Sequence, residues 1–407
     1  MFMSHYATEV CKCPIFFVCL QYKSPDIMTR FLTLLSALLI SMAVAGAQNK
    51  IIIPDTDNHL VLTGDMHLHT IFSDGNVWPV TRVDEAVSEG VEVICITDHL
   101  DGRHQKLVKK GVFNCDRNYS YEVAAKYARS QGVIVIHGAE ISRGMPPGHF
   151  NTLFISDAEP IAQASDAHSD HQEGMVAGLA VAKEQNAFCV WNHPHWHAHQ
   201  PKAIWHKEHS KIYKAGCMQG IEAYNHACGF SWEAFQWAID KELTLICGTD
   251  MHGPMFKKLN FNAGELRPVT LIFAKEASEE GVKEALLARR TAIFADGCVY
   301  GSEELLTELV SACLKVKSVK RTKTSVRVTL ENKSSIPLRM RGRSGEEQVS
   351  YCNFHLLYPF ESFTYSCTEP VYKTPVSFES FTLSFDIENF YTAPGKNFNY
   401  RIDIKNF

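Results

Sequence analysis

This sequence predicts an α/β fold, a mainly parallel sheet wrapped by helices, followed by a small antiparallel β-sandwich. Three observations predict it. From about residue 60 to 300, short runs rich in Val, Ile and Leu alternate with segments of helical spacing. Polar residues able to bind metal gather at the C-terminal ends of those runs. Beyond about residue 303 the texture changes to alternating apolar and polar residues. Continuous apolar runs suit strands buried on both faces, whereas alternation suits sheets wet on one face.

Taken in order, the chain begins with a targeting pattern. From Met28 it reads "MTRFLTLLSALLISMAVAGAQ", with Arg30 before an apolar stretch over 31–44 and the small residues Ala45, Gly46 and Ala47 ahead of Gln48. That is the pattern of a secretory signal peptide over 28–47. Residues 1–27 then read as an upstream extension, the location as periplasmic or secreted, and no stable membrane span is expected after cleavage. An uncleaved anchor is the alternative, although the apolar core is short for a spanning helix.

The next elements are the apolar runs: "HLVLTGDMH", "VEVICITDH", "GVIVIHGAE", "HFNTLFIS", "AFCVWNHPH", "GIEAYN" and "LTLICGTDMH". Between them, "VTRVDEAVSEG" and "NYSYEVAAKYARSQG" have helical spacing with Gly just past the end. This repeated βα pattern spans a domain over 48–302. The segments "LKVKSVKRTKTSVRVTLENKSSIPLRMRG" and "SFESFTLSFDIENF" then predict a β-sandwich over 303–407. Of thirteen cysteines, Cys11, Cys13 and Cys19 precede the signal, and Cys95, Cys189 and Cys247 sit inside apolar runs as small hydrophobes. Cys352 and Cys367 are the pair expected to bridge, if any does.

Composition narrows the function. With 45% hydrophobic and 21% charged residues the chain is an ordinary globular one. A formal net charge of -5 and an isoelectric point near 6.4 leave no positive field for duplex DNA, so no large nucleic acid is expected as partner. Oligomeric state cannot be read.

The chemistry lies in the run ends: His67 and His69, His99, Glu140, His193, then Asp250 and His252. In a closed (β/α) barrel all such ends meet at one rim, where active sites form. A lone buried histidine is more often core than ligand. That five of the seven run ends carry imidazole or carboxylate nevertheless points to a metal site.

These residues resemble the PHP (polymerase and histidinol phosphatase) superfamily. The motifs are "HLH" at 67–69, "SDG" at 73–75, "TDH" at 97–99, Glu140, His149, "NHP" at 192–194 and "DMH" at 250–252. The resemblance covers about residues 59–300 and implies a distorted (β/α)7 barrel holding two or three divalent ions, Mn, Zn or Fe. It implies one ion on His67, His69, Glu140 and Asp250, with Glu140 bridging to a second on His149 and His193. Asp74, His99 and His252 would hold the third. His149 is the odd ligand, since it lies at the start of a run rather than at its end.

Such a site implies a metal-dependent phosphoesterase acting on a small phosphorylated substrate, a mono- or diester, with a metal-bridging hydroxide as nucleophile and Asp250 among the catalytic groups. The leaving group would be protonated by His195 or by a metal-bound water. Asp98 would brace a loop or orient a ligand. Arg143 and Arg103 are candidates to clamp phosphate, and Glu222 and Asn225 to line the pocket. His197, His199, His206 and His209 read mostly as a solvated loop. Two other readings stay open: an amidohydrolase-like hydrolase of C–N or C–O bonds, and a noncatalytic metal-containing protein that binds a surface.

Overall fold

The computed structural model describes residues 50–405, apart from 103–109, 113, 197–201, 344–348 and 372–373. The segment expected to be a signal peptide, Arg103, His197 and His199 lie outside the described residues. No helix among the described residues is long and apolar enough to cross a membrane.

The first half is a ring of strands: β1 (Leu60–Leu68), β2 (Val93–Ile96), β3 (Ile134–Ser142), β4 (His149–Leu153), β5 (Phe188–Trp191) and β6 (Gly220–Asn225), with a short β7 (Gly229–Phe230) hairpinned onto β6 before β8 (Thr244–Gly248). β1, β2 and β3 pair in parallel, as do β5, β6 and β8. β4 departs from the expected parallel order, running antiparallel to both β3 and β5. The ring closes only at the rim, where Leu68 bridges Met251, the Asp250 N–H donates to the His67 carbonyl at 2.8 Å and the His69 N–H donates to the Met251 carbonyl at 3.2 Å. Lower down, β1 gives that edge to β9 (Val269–Ala274) in antiparallel register, and β10 (Thr291–Ala295) and β11 (Cys298–Gly301) continue outward. This split edge is the distortion of the barrel.

Every residue of β2, β5, β6 and β8 is buried, because helices cover the outer face while side chains fill the ring. The helices start and stop where local chemistry directs. In α1 (Pro79–Glu89), proline occupies the first turn and Gly90 closes the end at φ 74°. α2 (Tyr119–Ala128) follows β2, and α3 (Ala158–Asp166) and α4 (His171–Glu184) are capped by the Asp157 and Asp170 carboxylates. α5 (Lys207–Lys214), α6 (Trp232–Asp240) and α7 (Glu279–Leu287) complete the shell, the last two capped by Ser231 and Ser278.

A helix, α8 (Glu303–Cys313), opens the C-terminal part, and the antiparallel strands start only at Leu314. β12 (Leu314–Arg321), β13 (Val326–Asn332) and β16 (Ser362–Cys367) form one sheet, whereas β14 (Leu338–Gly342), β15 (Phe354–Leu357), β17 (Ser380–Ala393) and β18 (Lys396–Lys405) form the other. β13 and β14 alternate buried with less buried residues, as a half-wet sandwich requires. β17 also pairs in parallel with β11 through Val299 with Phe390 and Tyr300 with Tyr391, so the barrel sheet runs on into the sandwich. The expected Cys352–Cys367 bridge is absent: Cys352 is exposed, while Cys367 faces the buried interior, opposite Val326.

Candidate metal centre

Side chains alternate across a strand, so His67 and His69 at the end of β1 share the inner face. Their Nε2 atoms stand 3.1 Å apart. Asp250 Oδ1, from the turn after β8, lies 3.3 Å from the first and 2.9 Å from the second, and Glu140 Oε2 lies 3.6 and 3.5 Å away. The other Glu140 oxygen faces His149 Nδ1 at 2.9 Å and His193 Nε2 at 3.5 Å. Asp74 Oδ1 faces His252 Nε2 at 3.1 Å and His99 Nε2 at 3.4 Å. All nine expected ligands therefore come together, in overlapping groups of donor atoms that lie within 4.8 Å of one another. His69 also reaches the group of Asp74, His99 and His252, so geometry leaves it shared between two groups.

The antiparallel course of β4 explains why His149 belongs here. A strand that runs the other way begins where its neighbours end, and His149 pairs with Ser142 at the end of β3.

The loops that carry ligands are held by charges below them. Asp98 accepts from the Thr70 N–H at 2.7 Å, the Thr70 hydroxyl at 2.6 Å and the Ser73 hydroxyl at 2.6 Å, so it braces the loop leading to Asp74. Asp65 does the same for the loop after β8, accepting from the Thr249 N–H at 3.0 Å while the guanidinium of Arg267 grips it at 2.7 Å. Arg82, wholly buried, donates to the carbonyls of His69, Met251 and Gly253 at 3.0, 2.6 and 3.0 Å. The bracing role of Asp98 was one of its two expected roles, whereas those of Asp65, Arg82 and Arg267 escaped the sequence reading, since no motif marks them and their partners lie elsewhere in the chain. His193 at φ 30° and Asp250 at φ 54° adopt left-handed backbone, a cost of about 1–3 kcal/mol each that the surrounding bonds sustain.

Glu222 and Asn225 do not line an open pocket. Buried Glu222 faces His67 Nδ1 at 3.1 Å and accepts from the His193 N–H at 2.7 Å, and Asn225 donates to Glu222 at 3.1 Å and Asp250 at 3.3 Å. A carboxylate on the far nitrogen of an imidazole fixes its tautomer and leaves the near nitrogen free to ligate. Gly248 makes room for this contact, because a Cβ there would stand 2.3 Å from Glu222 Oε1 and 2.5 Å from His67 Cβ. Arg143 likewise turns away from the expected phosphate clamp, its guanidinium donating to Ser165 and to the His168 carbonyl. Nε2 of His195 meets the Cys228 carbonyl at 2.9 Å. A carbonyl only accepts, so that nitrogen carries the hydrogen and Nδ1 of the neutral ring is an acceptor. His209 is no solvated loop residue: it is buried, stacked 3.8 Å from Trp191 and paired with the Pro147 carbonyl.

Burial acts against charge on every group here, yet the neighbours outweigh it for several. The His67 imidazole is pulled down by burial but lifted well above its ordinary value by Asp250, Glu222 and Glu140. His193 and His252 are raised by Glu140 and Asp74 respectively, against burial. His69 falls to about 4, through burial and the neighbouring His99. Burial would raise Glu140, Asp250 and Asp74, yet the histidines around them hold all three well below the usual carboxylate range. Glu140 Oε2 and His99 Nε2 are buried beside charged neighbours, yet among the described residues neither has a partner at hydrogen-bonding geometry. Paired imidazole nitrogens, convergent carboxylate oxygens and polar atoms left over make a donor set that fits divalent cations.

Comparison with known proteins agrees with this chemistry. Residues 65–217 match the PHP domain family, and residues 314–403 match a family of Ig-like domains. No curated protein matches the chain. A solved two-domain protein from Bacteroides vulgatus containing a predicted PHP-like metal-dependent phosphoesterase is 35% identical, with a TM-score of 0.78, over 88% of this chain and 98% of that one. A Bifidobacterium adolescentis protein classed as a metal-dependent phosphoesterase is 14% identical with a TM-score of 0.39, over 57% of this chain and 97% of its own. A Chromobacterium violaceum amidohydrolase solved with sulfate and no metal is 16% identical with a TM-score of 0.35, over 57% and 97%.

Proposed function

Because the chain belongs to the PHP family of metal-dependent phosphoesterases, we propose that it hydrolyses a small phosphomonoester or phosphodiester at a centre of two or three divalent ions, and that it does so outside the cytoplasm. The observation that carries this reading is the sharing of Glu140. One oxygen faces His67, His69 and His99 while the other faces His149 and His193, the arrangement of a carboxylate that bridges adjacent cations.

Divalent cations held there would supply Lewis acidity toward the phosphoryl oxygens and an acidified water at neutral pH. The rest falls to the chain. His67, His69, Glu140 and Asp250 would hold one ion, Glu140, His149 and His193 the second, and Asp74, His99 and His252 the third. Glu222 and Asn225 orient His67 and Asp250, and Arg82 sets the two loops at a fixed separation. Among the described residues, the nucleophilic side chains beside the ligands are suppressed or engaged. The Cys228 thiol is pushed up to about 12 by burial and by Glu222 and Asp250, and the Ser73 and Ser142 hydroxyls are engaged by Asp98 and His99. His195, anchored through Nε2, would accept a proton on Nδ1 and return it to the leaving oxygen.

The test is hydrolysis of p-nitrophenyl phosphate and bis(p-nitrophenyl) phosphate by the purified protein, stripped of metal and refilled with Mn or Zn, beside Asp250→Asn. Metal-dependent turnover that the variant loses is the expected result, and the preferred ester reports mono- or diester chemistry. Tight metal binding with neither ester cleaved, and with an amide or carboxylic ester cleaved instead, would overturn it.

A further inference from the structure

The rings of the centre form a row. His252 and His69 stand 4.2 Å apart, His69 and His99 4.3 Å, His99 and His149 5.8 Å, and His149 and Trp196 5.2 Å. Exposure is uneven along it. The middle of the row is buried, whereas the two ends open to solvent: His252 with 36% of its side chain accessible, and Trp196 with 49% of the residue accessible. Trp196 is placed by its neighbour, since its backbone N–H donates to the His193 carbonyl at 2.9 Å, and its ring also leans on His193 at 5.5 Å and 53°. Part of an indole therefore stays in water beside a cluster whose remaining members are polar.

From this placement we propose that Trp196 is a specificity-determining residue, an aromatic wall that takes a planar ring on the ester while the phosphoryl group sits among the nine ligands. The inference rests on the phosphoester reading above. Indole offers a large rigid face that loses little conformational freedom when covered, and offset rings attract at centroid separations of about 4.5–7 Å. The cations would recognise every phosphate alike, so discrimination among esters has to come from the groups at the mouth. Of the residues expected to serve there, Arg143, Glu222 and Asn225 are engaged elsewhere and Arg103 lies outside the described residues.

The experiment uses the metal-loaded full chain with phenyl, cyclohexyl and glycerol phosphates, each ester compared with itself across wild type, Trp196→Ala and Trp196→Phe so that leaving-group basicity cancels. Trp196→Ala is expected to lower kcat/KM for phenyl phosphate about tenfold more than for glycerol phosphate, mainly through KM, as loss of one stacking contact predicts. Trp196→Phe should restore most of that selectivity, and cyclohexyl phosphate should follow glycerol phosphate. Equal losses on all three esters, or a loss explained by lower metal content, would show that the indole merely packs His149 and His193, and would overturn the proposal. If no ester is cleaved, the phosphoesterase reading falls by itself and calorimetry decides the wall. Phenylphosphonate should then bind about tenfold more weakly to Trp196→Ala than to wild type, with methylphosphonate as reference, and an unchanged ratio sinks it.

Discussion

Two buried clusters of charge lie one above the other at the end of β1, and they are balanced differently. In the lower one, Asp65, Glu89 and Glu85 meet the guanidinium groups of Arg267 and Arg82, with Arg267 on Asp65 at 2.7 Å and on Glu89 at 3.2 Å, and Arg82 on Glu85 at 2.7 Å. Burial lifts Glu89 to about 7 in spite of Arg267, which trims the residual negative charge further. Protein alone closes this cluster. In the upper one Asp74, Glu140, Asp250 and Glu222 face imidazoles, and the only offset the protein itself supplies there is the raised proton affinity of His67, His193 and His252, which still leaves more carboxylates than cations. Burial by itself therefore marks neither structure nor function; the kind of cation that completes the cluster does.

The largest way to break this contrast is at the upper cluster. Asp250→Asn removes the carboxylate that faces both His67 and His69, and kcat/KM should fall by more than the roughly 100-fold expected for a supporting residue, with metal content by mass spectrometry falling in parallel. Next is the lower cluster. Arg267→Met strands buried Asp65 and should cost about 3–5 kcal/mol in urea unfolding of the metal-free chain, whereas pairing it with Asp65→Leu should recover much of that loss. Loss of metal with stability intact in Arg267→Met would erase the distinction between the clusters. Glu222→Gln is a milder test, because the fold keeps its packing while His67 loses its orienting carboxylate. Metal affinity should drop about 10–100-fold, read by competition with a chelator.

The smallest effect expected concerns pH. His67, His193 and His252 stand above the ordinary value of 6.5 in the metal-free protein. Their protonation stabilises it fully below about pH 6.5, and that contribution disappears as pH rises through the raised values. Metal needs the same nitrogens unprotonated. The gain in Tm on adding metal should therefore shrink as pH falls from 8 to 6, and calorimetry showing a constant or growing gain would contradict the assignment of these histidines as ligands.

Much of this was legible in the chain. The apolar runs announced parallel strands because burial on both faces removes alternation, and the ligand motifs stood at their ends because a barrel rim is where strand ends converge. His149 was named as a ligand, but its place at the start of a run looked anomalous until β4 proved antiparallel. Glu222 and Asn225 were noticed at a strand end and given to the substrate, since sequence says that a side chain lies near a rim and not which way it faces. Arg143 was misread for the same reason.

Residue type and period by themselves determined the α/β class, the sandwich texture and seven of the metal-capable side chains, because hydrophobic periodicity and ligand chemistry are properties of neighbouring residues, whereas Asp74 and His149 were added by the family resemblance. Tertiary structure alone decided that Glu222 lies behind His67 and that Asp65 closes on an arginine, because such roles depend on contacts between residues such as Asp65 and Arg267, 202 positions apart. Partners so distant in the chain meet only when the ring closes, and it is their meeting that separates a charge satisfied by protein from one that calls for a metal.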